Sequence, residues 1–161
     1  MTIARADMHR GALDAIDRYV DTEPTPEHVL QRTVDLLAAR FEHYSWVGVY
    51  LVVGDSLVLG PWSGPQVTDH VRIPVGEGIC GAAAASGVTE VVDDVNADPR
   101  YLACFASTRS EVVVPISSPG SQPPEIVGEL DIDSDRPSAF DQDDVAFLEH
   151  VARMIATRWR A

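Results

Sequence analysis

Residues 125–134 read EIVGELDIDS, and apolar and acidic side chains alternate along this segment. Successive side chains of a β-strand point to opposite faces, so Leu130 and Ile132 share one face while Asp131 and Asp133 share the other. The apolar face predicts a core that helices cover. The acidic face has two interpretations. It is a solvated surface, or it is a set of carboxylates lining a pocket, where they would hold an ammonium group or supply a proton.

Other apolar, β-branched segments surround this strand in the sequence and predict further strands. We expect them at residues 46–53, 57–59, 71–75, 88–92 and 111–116. Short connections between them favour an antiparallel sheet. Residues 60–64 read GPWSG and are expected to leave the sheet as a loop.

Helical patterns occupy both ends of the chain. Apolar residues recur at helical spacing in residues 3–20 and again in 26–41. A third, short helix is expected at residues 82–85. Asp141 and Asp144 have the spacing of a capping box that begins the last helix. Terminal helices that cover one face of a sheet give an α+β layer architecture.

Composition limits the classes of function. The chain has 161 residues, which suits one domain over 1–161, with N-terminal helices in 1–43 and the sheet, loops and last helix in 44–161. A net charge of -13 opposes binding to nucleic acid and to anionic membranes. With neither a signal peptide nor a transmembrane segment recognisable, we expect a cytoplasmic protein whose partners are small molecules or proteins.

Two cysteines are candidates for redox chemistry. Cys80 lies in GICG near a predicted helix N-terminus, where the helix dipole would lower the thiol pKa; alternatively it is a small residue that fits the packing. Cys104 lies in a predicted loop, and Arg100 and Arg109 nearby in sequence would favour a thiolate; alternatively it anchors the loop. Two cysteines are too few for a disulfide framework, and the five histidines lack ligand spacing, so no metal site is expected.

A carboxylate and several aromatic residues complete the set of candidates. Glu111 opens a strand, where it is either solvated or directed at a pocket. Trp46 and Tyr50 share one face of a predicted strand, because they are four residues apart. Trp62 lies in the glycine-rich segment, and aromatic residues in such loops often form the wall of a pocket.

Several segments taken together resemble the GAF domain family, whose members are α+β modules that bind small molecules. The general resemblance rests on residues 110–115 (SEVVVP) and 128–134 (GELDIDS), followed by a final helix. From about residue 44 onward the chain resembles more specifically the free methionine-(R)-sulfoxide reductases, which consist of a single GAF domain. The segments that carry this resemblance are WVGVYL (46–51), LVLGPW (57–62), VRIPVG (71–76), GICG (78–81) and AC (103–104).

The resemblance implies a fold and a set of roles. The fold is a single GAF domain: a central antiparallel sheet with N- and C-terminal helices on one face and a loop-covered ligand pocket on the other. Cys104 matches the family's catalytic cysteine, and Cys80 matches a second redox cysteine. The remaining matches are substrate-binding residues, of which the acidic ones also assist protonation: Glu111, Asp131, Asp133, Trp46 and Trp62.

The resemblance also implies a reaction. It is the thiol-dependent reduction of free L-methionine (R)-sulfoxide to methionine, through a sulfenic acid on Cys104 and a disulfide with Cys80. The resemblance implies no cofactor, but it implies an external thiol reductant such as thioredoxin. Because GAF domains often dimerise through their terminal helices, we also expect a homodimer. The family usually carries a third cysteine immediately before Val-Arg-Ile-Pro, where this chain has His70. That replacement favours an alternative, a non-catalytic GAF module that senses a small molecule or thiol oxidation.

Overall fold

The computed structural model describes residues 1–159, and within them the chain forms four α-helices and one six-stranded sheet. The helices are α1 (Ile3–Thr22), α2 (Pro26–Arg40), α3 (Gly78–Ser86) and α4 (Gln142–Ala156). The strands are β1 (Trp46–Val53), β2 (Ser56–Ser63), β3 (Arg72–Pro74), β4 (Glu90–Val92), β5 (Ser110–Ser117) and β6 (Ile126–Ser134). The sheet order is β3-β2-β1-β6-β5-β4, and every neighbouring pair is antiparallel.

The larger core lies between the sheet and helices α1, α2 and α4. Val49, Leu130 and Ile132 of the central strands are fully buried there, together with Leu37 of α2 and Leu148 of α4. Burying one such side chain contributes about 1.5–3 kcal/mol to folding. The predicted α+β architecture, with helices from both chain ends on one face, is confirmed. Among the described residues, no helix combines the length and apolar character needed to cross a bilayer.

The start of α4 is fixed by the predicted capping box. The Asp141 side chain accepts hydrogen bonds from the backbone N–H groups of Asp143 and Asp144, and the Asp144 carboxylate accepts one from the backbone of Asp141. Arg5 of α1 donates two hydrogen bonds to Asp141, at 2.7 and 2.9 Å, and also forms an ion pair with Asp144. One polar cluster therefore fixes the first turn of α4 and connects α1 to α4.

The prediction that residues 60–64 leave the sheet was wrong. Strand β2 continues to Ser63, and Trp62 pairs with Gly48 of β1 beyond an irregularity between Gly48 and Tyr50. Strand β3 pairs only with the beginning of β2, so Pro61 lies where the outer edge of β2 has no neighbouring strand. Proline is tolerated at such an edge because it has no N–H group to leave unpaired.

Helix α3 lies on the sheet face opposite the other helices. It is longer than the short helix expected from the sequence, and it ends at Gly87, which adopts a left-handed conformation with φ of 69°. Its side chains pack with those of the sheet in a second, smaller core that includes Tyr50, Leu57, Ile79 and Val113. The sheet is thus covered on both faces, and α3 and the loops near it form the side that encloses a cavity.

Trp46 is held flat between two glycines. A Cβ atom added to Gly48 would lie 2.2 Å from the Trp46 ring, and one added to Gly64 would lie 2.3 Å from it. The indole N–H donates to the backbone carbonyl of Gln66 at 3.1 Å. The ring is therefore fixed by close backbone contacts as well as by a hydrogen bond.

Gly48→Ala should destabilise the protein. The new methyl group would overlap the buried Trp46 ring, and overpacking of this kind costs about 1–3 kcal/mol. Gly11→Ala is the matched control: the added methyl meets only the end of the flexible Arg40 side chain, and alanine is favoured over glycine inside a helix by about 1 kcal/mol. Urea denaturation should show a lower unfolding free energy for Gly48→Ala only. Equal effects of the two substitutions would contradict this packing account.

Candidate active site

A small cavity of about 10 Å³ lies between α3, the loop that follows β4, and strands β1, β5 and β6. It brings together both cysteines and two of the predicted carboxylate residues. Its lining consists of Tyr50, Ile73, Gly78, Ile79, Cys80, Tyr101, Leu102, Cys104, Glu111 and Asp131. Residues distant in the sequence thus meet in one enclosed site.

Strand register places the carboxylates of this site side by side. Glu111 of β5 is directly opposite Asp133 of β6, and Asp131 and Glu129 follow on the same face of β6. None of the four side chains is more than 5% exposed. The interpretation of the acidic face as a solvated surface is therefore wrong.

These carboxylates lack a compensating positive charge within the part of the chain that the structure describes. None of them takes part in an ion pair there. One oxygen of Glu111, one of Asp131 and both of Glu129 have no hydrogen-bond partner. Burial raises the pKa of Asp131 to about 6 and, helped by the neighbouring Asp131, holds the pKa values of the other three well above their usual range. The site therefore favours protons or a bound cation.

Cys80 is the third residue of α3 and is 6% exposed. Its Sγ lies 3.8 Å from a carboxylate oxygen of Glu111. Burial, followed by the charges of Asp131, Glu129 and Glu111, raises the pKa of the Cys80 thiol well above its usual value. The predicted lowering by the helix N-terminus was wrong, because desolvation and several nearby carboxylates outweigh the partial charge of one helix end.

Cys104 lies in the loop that covers the cavity and is half-buried. Its thiol is 3.5 Å from the carbonyl oxygen of Leu102, and burial raises its pKa to about 12. The two arginines expected to favour a thiolate have other partners: Arg100 pairs with Glu90 and Asp98, and Arg109 donates to backbone carbonyls of its own loop. That expectation was wrong, because proximity in sequence did not bring either guanidinium to the sulfur.

The two predicted tryptophans lie on the same side of the sheet as the cavity but outside its lining. Their rings stack with centroids 6.3 Å apart and planes 12° apart, and Phe105 packs 5.9 Å from Trp46. Tyr50 and Tyr101 form the aromatic wall of the cavity instead. A binding role for Trp46 and Trp62 stays a prediction.

Sequence reasoning did not assign Glu129 or Tyr101 to the site, and it noted Tyr50 only as sharing a strand face with Trp46. The alternation along β6 could have predicted Glu129, because Glu129 shares a strand face with Asp131. The alternation along β1 could likewise have predicted Tyr50, which is four residues from Trp46. No sequence pattern could have predicted Tyr101, because a loop has no fixed periodicity that sets the direction of its side chains.

His70 lies against the loop that carries Cys104. Its Nε2 is 3.3 Å from the carbonyl oxygen of Ala103, and its own carbonyl accepts a hydrogen bond from the Tyr50 hydroxyl at 2.8 Å. Leu102 of the same loop contacts Gly78, where an added Cβ would lie 2.8 Å from a Leu102 methyl group. These contacts position the half-buried thiol over the cavity.

Comparison with known proteins agrees with this architecture. The family model described as GAF domain matches residues 25–159. The chain belongs to the GAF domain family. The resemblance seen in the sequence is therefore confirmed, together with the single-domain α+β fold.

Relatives of this GAF domain include enzymes and a sensor candidate. A protein from Escherichia coli named free methionine-R-sulfoxide reductase is 38% identical over 126 residues, which cover 78% of this chain and 73% of that protein. The crystal structure of such a reductase from Neisseria meningitidis in complex with its substrate has a TM-score of 0.88 at 38% identity, with 98% of this chain and 92% of that chain covered. A structure described as a putative GAF sensor protein from Burkholderia vietnamiensis has a TM-score of 0.87 at 31% identity and covers 95% of this chain and 94% of its own.

The raised carboxyl pKa values predict that this GAF domain loses stability as pH rises. A group with a higher pKa in the folded state binds protons preferentially in that state, so its contribution falls as pH passes from the unfolded to the folded pKa. For Asp131, with a folded pKa of about 6 against an ordinary value of 3.8, the loss between about pH 5 and pH 8 is about 1 kcal/mol. Asp144 has a lowered pKa and acts oppositely, but its contribution is lost only in more acid solution.

Urea denaturation at several pH values measures this dependence. Glu129→Gln removes one buried ionisable group and should flatten the decline, with the gain in unfolding free energy largest at the alkaline end. Glu125→Gln, at an exposed position just outside β6, is the control and should leave the slope unchanged. An unfolding free energy that increases steadily from about pH 5 to pH 8 would contradict the raised pKa values.

Proposed function

We propose that this GAF domain reduces free L-methionine (R)-sulfoxide to methionine with electrons from thiols. The observation that carries the proposal is one enclosed cavity lined by two thiols and by buried carboxylates without a counter-charge. Relatives that are 38% identical and bear the name of this reductase support the choice of substrate.

The carboxylates suit an amino-acid substrate. An ammonium group bound near Asp131 and Glu111 supplies the positive charge that the protein itself lacks there. A carboxyl group with a raised pKa stays protonated near neutral pH and donates a proton to the sulfoxide oxygen. We assign the ammonium contact to Asp131, whose pKa is the lowest of the four, and the acid role to Glu111 or Asp133.

The first half of the reaction oxidises Cys104. Its sulfur attacks the sulfoxide sulfur, the sulfoxide S–O bond breaks, and the oxygen ends on Cys104 as a sulfenic acid. The net change is Cys104–SH plus R₂S=O giving Cys104–SOH plus R₂S, in which the sulfoxide gains two electrons and the thiol loses two. The substrate ammonium offsets the surrounding carboxylates and so lowers the thiol pKa from about 12 when it binds.

The second half restores the thiol. Cys80–SH condenses with Cys104–SOH, which forms a disulfide and releases water. An external dithiol such as thioredoxin then reduces the disulfide, and no cofactor takes part. Both cysteines are free in the reduced protein, which suits a cytoplasmic enzyme. The homodimer stays a prediction.

Cys104→Ser should abolish turnover of racemic free methionine sulfoxide in excess dithiothreitol, with the epimers separated by chromatography. The wild type should consume the R epimer selectively, because the relatives' names specify it. Substantial turnover by Cys104→Ser would overturn the assigned role.

Cys80→Ser is the matched variant for the second half. Without a reductant, wild type and Cys80→Ser should each release one methionine per chain. Mass spectrometry should then show the wild type two hydrogens lighter, as a disulfide, and Cys80→Ser heavier by one oxygen, as a sulfenic acid. Added dimedone should convert that sulfenic acid to a thioether adduct with loss of water. A disulfide-free wild type after turnover would contradict the role of Cys80 while leaving that of Cys104 intact.

The pH dependence of turnover tests the role of Asp131. Its carboxyl loses a proton as pH rises through about 6, and the resulting anion attracts the substrate ammonium, so kcat/KM should increase through that range. Asp131→Asn should lower kcat/KM mainly through a higher KM and should lose this increase. An unchanged pH profile in Asp131→Asn would contradict the assignment.

A second candidate is a GAF module that binds a small molecule without turnover. Two observations favour it: His70 stands where the family usually has a third cysteine, and the Cys104 pKa of about 12 keeps its thiol protonated near neutral pH. Saturable binding of methionine sulfoxide with no methionine released, in folded protein with two titratable thiols, would establish this alternative.

A further inference from the structure

The cavity contains a group of three potential metal ligands that none of the sequence patterns indicated. The Cys80 sulfur, one carboxylate oxygen of Glu111 and one of Asp131 all lie within 4.8 Å of one another, and all three side chains are buried. The Cys80 Sγ to Glu111 Oε1 distance is 3.8 Å. Two ligands at ordinary Zn–S and Zn–O lengths across a tetrahedral angle stand about 3.6 Å apart. The group is therefore already close to the spacing of a zinc site.

A second observation, on Glu129, points independently to a cation at this place. Glu129 is fully buried, and neither of its carboxylate oxygens has a hydrogen-bond partner. Glu129 lies on the same face of β6 as Asp131 and close enough to Cys80 for its charge to raise the pKa of that thiol. Unpaired carboxylate oxygens away from water are unfavourable unless a proton or cation compensates them. Glu129 thus adds an uncompensated carboxylate next to the group of three.

We propose that Cys80, Glu111 and Asp131 form a binding site for Zn²⁺, with a water molecule as the fourth ligand. One thiolate and carboxylate oxygens are ligands that zinc accepts in tetrahedral geometry. Magnesium and calcium require six or more oxygen ligands and disfavour sulfur, so this donor set selects a softer divalent ion. Binding displaces the thiol proton and the carboxyl protons into solution, because zinc ligands bind in their deprotonated forms.

The site has a functional consequence that does not depend on the reductase activity. Zinc would occupy the space where the carboxylates receive a substrate ammonium, and it would tie the Cys80 sulfur in a metal–thiolate bond. Cys104 is outside the ligand group and keeps its thiol. Zinc would therefore compete with any cationic ligand of the cavity and protect Cys80, but not Cys104, from oxidation or alkylation.

The test uses the full chain, reduced with a phosphine and freed of metal. Co²⁺ serves as the spectroscopic probe, since a cobalt–thiolate bond gives a charge-transfer band in the near ultraviolet, and Zn²⁺ affinity is measured in competition with a chromophoric chelator. Cys104→Ser leaves Cys80 as the only thiol of the chain. We expect Cys104→Ser to retain the band and the wild-type zinc affinity, at one metal per chain.

Variants of the other ligands separate a site from general attraction by negative charge. Cys80→Ser should lose the band, and Glu111→Gln should weaken zinc binding about ten-fold or more. Exposed Glu125→Gln is the control of equal charge change and should leave zinc affinity unchanged. No band in Cys104→Ser, a band in Cys80→Ser, or equal effects of the two glutamate variants would overturn the proposal. The Cys104→Ser measurement decides it even if Cys80→Ser fails to fold.

Discussion

Strand β6 has to serve two cores of opposite character, and the alternation of its side chains makes this possible. Leu130 and Ile132 complete the apolar core under the terminal helices, while Asp131 and Asp133 lie on the opposite face, where Asp131 lines the cavity. A slip of one residue in the pairing would exchange the two sets. It would place carboxylates among the helices and branched aliphatic side chains in the cavity. Fold and site are therefore specified by the same register.

The cavity side of this arrangement carries negative charge that the described part of the chain does not balance. An ionised carboxylate buried without a partner costs several kcal/mol, so these carboxyl groups favour their protonated forms and their pKa values are raised. A bound cation releases those protons and recovers the electrostatic energy. The unbalanced negative charge of the buried carboxylates thus underlies three properties: the pH dependence of stability, the proposed preference for an amino-acid substrate and the proposed affinity for zinc.

The two cysteines line the same cavity, but different kinds of structural element hold their sulfur atoms in place. Cys80 lies on a helix whose packing against the sheet fixes the sulfur beside Glu111. Cys104 lies on a loop whose position depends on contacts from His70 and Gly78. Neither thiol gains acidity from an arginine or from the helix end, so the charge brought by a ligand has to change their ionisation. This makes reactivity in the proposed reaction conditional on an occupied site.

The sequence by itself determined the order of the elements, the capping box of α4, the two-faced character of β6 and the membership in the GAF domain family, because these depend on periodicity and on motifs local in the chain. Only the tertiary structure decided that the acidic face is buried, that Trp62 stays on a strand, and that Tyr101 and Glu129 reach the site. It also decided the direction of both cysteine pKa shifts. Each of these features depends on contacts with elements that are far away in the sequence. Desolvation and strand pairing arise only when those elements pack together, so local sequence patterns do not predict them.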